Sequence, residues 1–135
     1  SHWAKKTMIY LFYVNQLPAG FCVINAGSMI DENRPDVHDF AEFYIMPLYR
    51  KRSIGITCAA SLIRLYGGVW QIRQLPELEQ TGRLFWLKVI DTIPVRNFHE
   101  TFNHPRWPGF MQEFEVGVQF LPAMIAHSEY YQDDL

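Results

Sequence analysis

The stretch of residues 46–68, MPLYRKRSIGITCAASLIRLYGG, decides the fold, because a strand ends and a helix begins within it. Pro47 ends the strand, and from Ile54 onward apolar residues recur with a period of about 3.6 residues. Ser53 is of a residue type that caps helices, and Gly67 is typical of the position that follows one. The pattern therefore predicts a helix that is preceded by a short loop.

That loop carries three consecutive cations, Arg50, Lys51 and Arg52. A helix N-terminus presents backbone N–H groups without intrahelical partners, and its dipole adds partial positive charge there. Anions bind readily at such places, and an arginine can hold a phosphate group through two hydrogen bonds. The residues of the loop leave two interpretations open: a phosphate-binding loop, or an ordinary helix start with a solvated basic turn.

Outward from this stretch, the order of elements is strand–strand–strand–helix–strand–helix–strand–strand. The predicted strands are residues 9–14, 19–25, 39–46, 69–74, 93–102 and 111–121, and the second helix is residues 76–91. Residues 103–109, NHPRWPG, are predicted to form a loop. The fold class is α+β: a mixed, mostly antiparallel sheet with a central parallel strand pair and flanking helices.

The length and composition predict one globular domain, which we divide into a core over residues 8–120 and a C-terminal tail over residues 121–135. The chain has 135 residues, 49% of them hydrophobic, and a net charge of −2, so nothing indicates a nucleic-acid partner. No apolar run approaches the length of a membrane span. Cys22 and Cys58 lie far apart, and we expect both to be buried and reduced in a cytoplasmic protein.

Strand 39–46 contains a carboxylate among aromatic residues. Strict alternation along the strand places Phe40, Glu42, Tyr44 and Met46 on one face. A carboxylate in such surroundings is a candidate general base. The alternative is a charge that reaches solvent or pairs with an arginine.

Two other groups of polar residues have weaker interpretations. His99 and His104 are five residues apart, and a helical zinc motif needs four, so we expect no metal. The acidic residues before the third strand attract a cationic amine or are simply solvated. They are Asp31, Glu32, Asp36 and Asp39.

The sequence resembles the GNAT superfamily of acetyl-CoA-dependent N-acyltransferases over about residues 8–120. Residues 50–55, RKRSIG, resemble that family's acyl-CoA motif, Arg/Gln-x-x-Gly-x-Gly/Ala, with Ser53 at a glycine position. Four further segments, NQLPAGFCVIN, AEFYIMPLYRKR, GGVWQIRQL and RLFWLKVI, resemble the second hairpin, the fourth strand with its loop, the fifth strand and the following helix in the family order.

The resemblance implies transfer of an acetyl group from acetyl-CoA to an amine of a small molecule or protein, by direct attack in a ternary complex. The amides of residues 52–55 would hold the pyrophosphate, and backbone groups near Ile45 and Met46 would pair with the pantetheine. Glu42 would act as the base, and Tyr44 or Tyr49 as a substitute acid unless both only pack, because Phe85-Trp86 stands where members often have a tyrosine. The implied cofactor-binding residues are Ile45, Met46, Arg50, Lys51, Arg52, Ser53, Ile54, Gly55, Ile56, Phe85 and Trp86.

Two departures from the family set further expectations. The side chain of Ser53 favours a helical backbone where glycine allows a positive φ. Only about eight residues precede the first strand, where complete members carry a strand and two helices, so we expect an N-terminally truncated domain. Its first strand would be an exposed edge that a second copy or a partner chain completes. Two alternatives stay open: a catalytically weak or inactive module that binds acyl-CoA or a protein partner, and an unrelated α+β domain.

Overall fold

The structure, a computed structural model, describes residues 6–117 and 130–134. Its strands are β1 Thr7–Val14, β2 Leu17–Ala26, β3 His38–Ile45, β4 Gly68–Gln74, β5 Val95–His104, β6 Trp107–Val116 and β7 Tyr130–Asp134. Its α-helices are α1 Ile54–Tyr66 and α2 Leu84–Asp91. The predicted order of elements is confirmed, and β7 is added to it.

The sheet is mixed and mostly antiparallel, as the sequence predicts. Within the described residues, seven strands lie in the order β5-β6-β4-β3-β2-β1-β7, and only β3 and β4 among them are parallel neighbours. The crossover between these two strands is α1, as a parallel connection requires. The central parallel pair therefore joins an antiparallel half made of β3, β2, β1 and β7 to another made of β4, β6 and β5.

The outer edge of β1 is occupied by the chain itself. β7 pairs with β1 antiparallel, from Met8 opposite Asp134 to Phe12 opposite Tyr130. The expectation that this edge is exposed is therefore wrong, whereas a homodimer or a partner chain that completes the sheet stays a prediction. The predicted C-terminal tail likewise contributes a strand, which no hydrophobic periodicity in its acidic end indicates.

The boundaries around β6 differ from prediction in two ways. The expected loop at residues 103–109 is a tight turn between β5 and β6, with His104 paired to Trp107. Pro108 is compatible with a strand there because β6 pairs with β4 only from Phe110 onward, so one side of its backbone needs no sheet partner. The predicted strand at residues 111–121 starts earlier and ends at Val116, and residues 118–121 lie outside the described part of the chain.

The second predicted helix is irregular in its first half. A 3₁₀ turn, Pro76–Leu78, and a π-helical turn, Glu79–Arg83, precede α2. Gly82 lies within the π turn and has a low helix propensity, which is consistent with an irregular backbone before the regular helix. The predicted end at Asp91 is confirmed.

The core lies between α1, α2 and one face of the sheet. Its fully buried large side chains include Trp70, Phe12, Phe114, Ile24, Leu62 and Ile63. Both cysteines are buried, as predicted. Among the helices of the described residues, none is long and apolar enough to cross a membrane.

Candidate functional site

The two halves of the sheet part at the junction of β3 and β4. The described residues pair these strands at one point, His38 opposite Trp70. Beyond it, β3 stays paired with β2 as far as Ile45, whereas β4 follows β6. A gap therefore opens between β3 and β4 toward their C-terminal ends, and the edge of β3 borders it.

The backbone of Ile45 faces this gap. The N–H group of Met46 donates to the carbonyl of Ala19, 2.8 Å away, so the neighbouring residue on β3 directs its backbone groups away from β2. The carbonyl of Met46 accepts a hydrogen bond from the N–H of Tyr49, 2.9 Å away, so both backbone groups of Met46 are used within the protein. Of the predicted pair, Ile45 alone presents its backbone to the gap.

A β-bulge in β3 changes the predicted faces of this strand. Glu42 lies opposite Val23 and Phe40 opposite Ile24, so Ala41 is an extra residue. Phe40 and Phe43 consequently share a face, with ring centroids 5.6 Å apart. Strict alternation is therefore wrong here: Glu42 is exposed and does not share a face with Phe40.

The loop after β3 adopts a left-handed backbone at Ser53, the position where the acyl-CoA motif has glycine. A 3₁₀ turn, Pro47–Tyr49, leads to Lys51 at φ 62° and Ser53 at φ 61°, both left-handed. The expectation of a helical backbone at Ser53 is therefore wrong. Ser53 also makes no side-chain capping bond, so its predicted role as a cap holds only by position.

Helix α1 directs free N–H groups into this loop. The first hydrogen bond between the cap and the helix runs from the N–H of Thr57 to the carbonyl of Ser53, at 3.0 Å. The amides of residues 54–56 therefore have no intrahelical acceptor. Left-handed residues next to right-handed ones turn successive N–H groups into a concave anion site, and the helix dipole favours negative charge there.

The three cations of the loop are exposed, and one of them reaches the gap. The Nε of Arg50 donates to the carbonyl oxygen of Ile45, 2.8 Å away. Its guanidinium carbon also lies 5.4 Å from the ring centroid of Tyr44, which is 40% exposed. Arg50 thus covers the backbone acceptor that faces the gap, whereas Lys51 and Arg52 are exposed beside the helix start.

Helix α2 forms the wall behind the gap. A Cβ atom added to Gly55 would lie 3.1 Å from Cε1 of Phe85 and 3.3 Å from Cγ1 of Ile45, so these three residues are in close contact. Trp86 is 8% exposed and stacks on Phe40 at 5.0 Å between ring centroids. Phe85 therefore packs at the first turn of α1, and Trp86 lies in the core.

Asp39 has a role that the sequence does not reveal. It lies within β3 rather than in the acidic loop, is 1% exposed, and accepts a hydrogen bond of 2.6 Å from Nη2 of Arg73 on β4. The guanidinium of Arg73 also lies 4.5 Å from the ring centroid of Trp107. This ion pair joins β3 to β4 beyond their single bridge. The sequence signal was a carboxylate at the start of a predicted strand, but its place in the chain groups it with the acidic residues of the preceding loop.

The remaining polar candidates are dispersed. No group of three histidine, cysteine or acidic residues in the described ranges could hold a metal ion. In the acidic loop, the Asp31 side chain accepts a 3.0 Å hydrogen bond from the Asn33 amide, and Glu32 and Asp36 are exposed. Among the described residues, no recorded contact joins these three carboxylates to the residues that border the gap.

Known structures share this architecture. The PaiA N-acetyltransferase from Thermoplasma acidophilum, solved with coenzyme A, gives a TM-score of 0.56 at 10% identity over 82% of this chain. An acetyltransferase of the GNAT family from Desulfovibrio desulfuricans gives 0.55 at 10% identity over 84% of the chain. The ribosomal-protein-S18-alanine N-acetyltransferase from Escherichia coli gives 0.52 at 7% identity over 88% of the chain.

The matches cover less of the other proteins. The chain spans 62% of the Thermoplasma protein, 70% of the Desulfovibrio protein and 74% of the Escherichia coli protein. No family model and no curated protein sequence matches it significantly. The likeness thus lies in the arrangement of strands and helices: the chain has the fold of the GNAT N-acetyltransferases.

Proposed function

We propose that the chain is an N-acetyltransferase that takes an acetyl group from acetyl-CoA and transfers it to an amine. One observation carries the proposal: a gap between parallel strands opens beside a left-handed basic loop at a helix N-terminus. A gap of this kind suits an extended arm, and the loop suits a pyrophosphate. The edge of β3 that borders the gap and the basic loop belong to one continuous segment, residues 43–56.

The donor would be held by backbone more than by side chains. The amides of residues 52–56 would bind the pyrophosphate, with Lys51 and Arg52 adding charge. The backbone of Ile45 would pair with the pantetheine amides, as an added strand would. For this, Arg50 would release the Ile45 carbonyl and pair with phosphate instead, a stronger partner for a guanidinium. Phe85 would line the gap, and Trp86 would support it from the core.

The reaction would be direct attack of the amine nitrogen on the thioester carbonyl. Holding both reactants in one complex supplies most of what such a reaction needs, because the thiolate is a good leaving group. Glu42 is the candidate base, since it is exposed on the strand that borders the gap. Tyr44 is the candidate acid, since its phenol is 40% exposed two residues further along the same strand.

The acceptor is proposed only as an amine. The Escherichia coli neighbour is named for an alanine of a ribosomal protein. We therefore propose both amines of proteins and amines of small molecules as acceptor classes. The two buried free cysteines support the cytoplasmic location that we propose.

A second function, an acyl-CoA-binding module without turnover, is favoured by two specific observations. Arg50 occupies the Ile45 carbonyl through a hydrogen bond. Trp86, at the position where the related acyltransferases often carry a proton-donating tyrosine, is buried in the core. Calorimetric titration with CoA followed by thiol release over an amine panel separates the two functions. Binding without thiol release would support the module, and no binding would contradict both.

The base assignment has its own test. Glu42→Gln should lower kcat about 100-fold, the range expected for a lost general base, with little change in CoA affinity. Glu32→Gln is the matched control, because Glu32 is also an exposed carboxylate but lies in the acidic loop. Equal activity of the two variants would remove Glu42 from the mechanism without touching donor binding.

A further inference from the structure

An exposed apolar ridge lies at the end of the sheet where the basic loop begins. It consists of Leu17, Met46 and Leu48, which are 59%, 40% and 68% exposed. The bond from the Met46 amide to Ala19 brings the start of β2, and with it Leu17, next to the 3₁₀ turn that carries Leu48. Neighbouring large apolar side chains at such exposure mark interaction sites more often than isolated ones do.

The ridge borders three exposed cations. Arg50, Lys51 and Arg52 follow Leu48 directly, in a chain whose net charge is −2. Positive charge is therefore concentrated at this end of the molecule and does not reflect its overall balance. The surface as a whole, apolar centre and basic flank, is complementary to a partner with an apolar and acidic face.

A free CoA molecule accounts for only part of this surface. A pyrophosphate binds the cations and the helix amides, but it makes no favourable contact with leucine side chains that are more than half exposed. A protein seated on the ridge would use both, and it would lie at the mouth of the gap between β3 and β4. From there it could pass an extended arm along the edge of β3.

We propose that this surface docks a small acidic carrier protein, whose phosphopantetheine arm enters the gap with the acyl group at its end. The inference rests on the proposed function and deepens it, since it replaces CoA by a protein-borne donor with the same arm. The charge on the loop selects an acidic partner, and the ridge supplies contact area that a phosphate cannot use.

The chemistry is unchanged by the carrier. The amine nitrogen forms a bond to the thioester carbonyl carbon, and the carbon–sulfur bond breaks. The acyl group becomes an amide on the acceptor. The proton that the amine loses is taken up by the thiolate, so that the carrier departs as a free thiol. No oxidant, reductant or further reactant is needed.

The test compares two donors on a double variant. Leu17→Ser with Leu48→Ser should weaken binding of an acetylated acidic acyl carrier protein about tenfold, a typical effect for loss of interface contacts. Binding of free acetyl-CoA, measured by calorimetry, should change less than twofold. Leu84→Ser is the matched control, since Leu84 is 55% exposed on α2, and it should affect neither donor.

The outcomes separate this inference from the proposed function. CoA binding with no carrier binding overturns the carrier and leaves the acetyltransferase standing, whereas binding of neither donor overturns both. An equal effect of the double variant on both donors, or an effect on binding to anionic lipid vesicles alone, also overturns it. A steep fall of carrier affinity with salt, which the double variant reduces little, supports it because the charged contacts remain.

Discussion

The left-handed backbone of Ser53 gives a prediction that depends on the geometry of the loop. An L-residue in this conformation costs roughly 1–2 kcal/mol, which glycine does not incur. Glycine in turn costs about 0.4–1 kcal/mol because it makes the unfolded chain more flexible. Ser53→Gly should therefore raise the free energy of unfolding by about 0.8 kcal/mol. For 135 residues, this is a rise in Tm of about 2–3 °C.

Neighbouring residues provide matched controls. Lys51→Gly should also stabilise the protein, because Lys51 has a φ of 62°. Arg52→Gly should destabilise it by about 0.4–1 kcal/mol, because Arg52 does not have a positive φ and only the unfolded-state effect remains. Urea melts and calorimetric scans of the three variants measure the pattern. If Ser53→Gly destabilised the protein as much as Arg52→Gly, the left-handed loop, and the anion site built on it, would be refuted.

Three further predictions concern packing and ionisation. Gly20→Ala should lower the free energy of unfolding in urea melts by about 3 kcal/mol, because the added Cβ overlaps a backbone carbonyl of β3. Gly117→Ala, with open space around it, should lower it little, and equal losses would contradict the close approach of the strands. Burial raises the pKa of the Cys22 thiol far above its usual range, so this thiol should resist alkylation at pH 8 until the protein is denatured; modification at the rate of a free peptide thiol would contradict its burial. Hydrogen bonds from Arg83 lower the pKa of Glu100, so its contribution to stability is present above pH of about 4.3 and is lost as the pH falls through the folded-state pKa. Glu100→Gln should therefore flatten the acid side of the stability curve, and an unchanged slope would contradict the pairing.

The sequence predicts the elements of the fold well because their patterns are local. The strand–loop–helix unit around residues 46–68 and the order of the other strands follow from periodicity, proline and glycine. The strand–helix–strand order then predicts the parallel pair at the centre. These features depend on residues close together in the chain.

The differences arise where distant segments meet. The bulge at Ala41 is set by the pairing of β3 with β2, and it reverses the face of Glu42 without any signal in the residues themselves. The pairing of β7 with β1 joins strands from opposite ends of the chain. The role of Asp39 depends on an arginine that lies 34 residues away. Such contacts follow from tertiary packing and cannot be read from one segment.

The most direct test of the central claim is a titration of the ¹⁵N-labelled protein with CoA, followed by amide chemical shifts. The account predicts saturable binding with the largest shifts at the amides of residues 52–56 and at Ile45, which borders the gap. Because Arg50 would leave the Ile45 carbonyl, its side-chain Nε signal should shift as well. Saturable binding with shifts confined to other surfaces, such as a groove lined by Leu84, Ile93 and Phe98, would contradict it, and so would no binding at millimolar CoA.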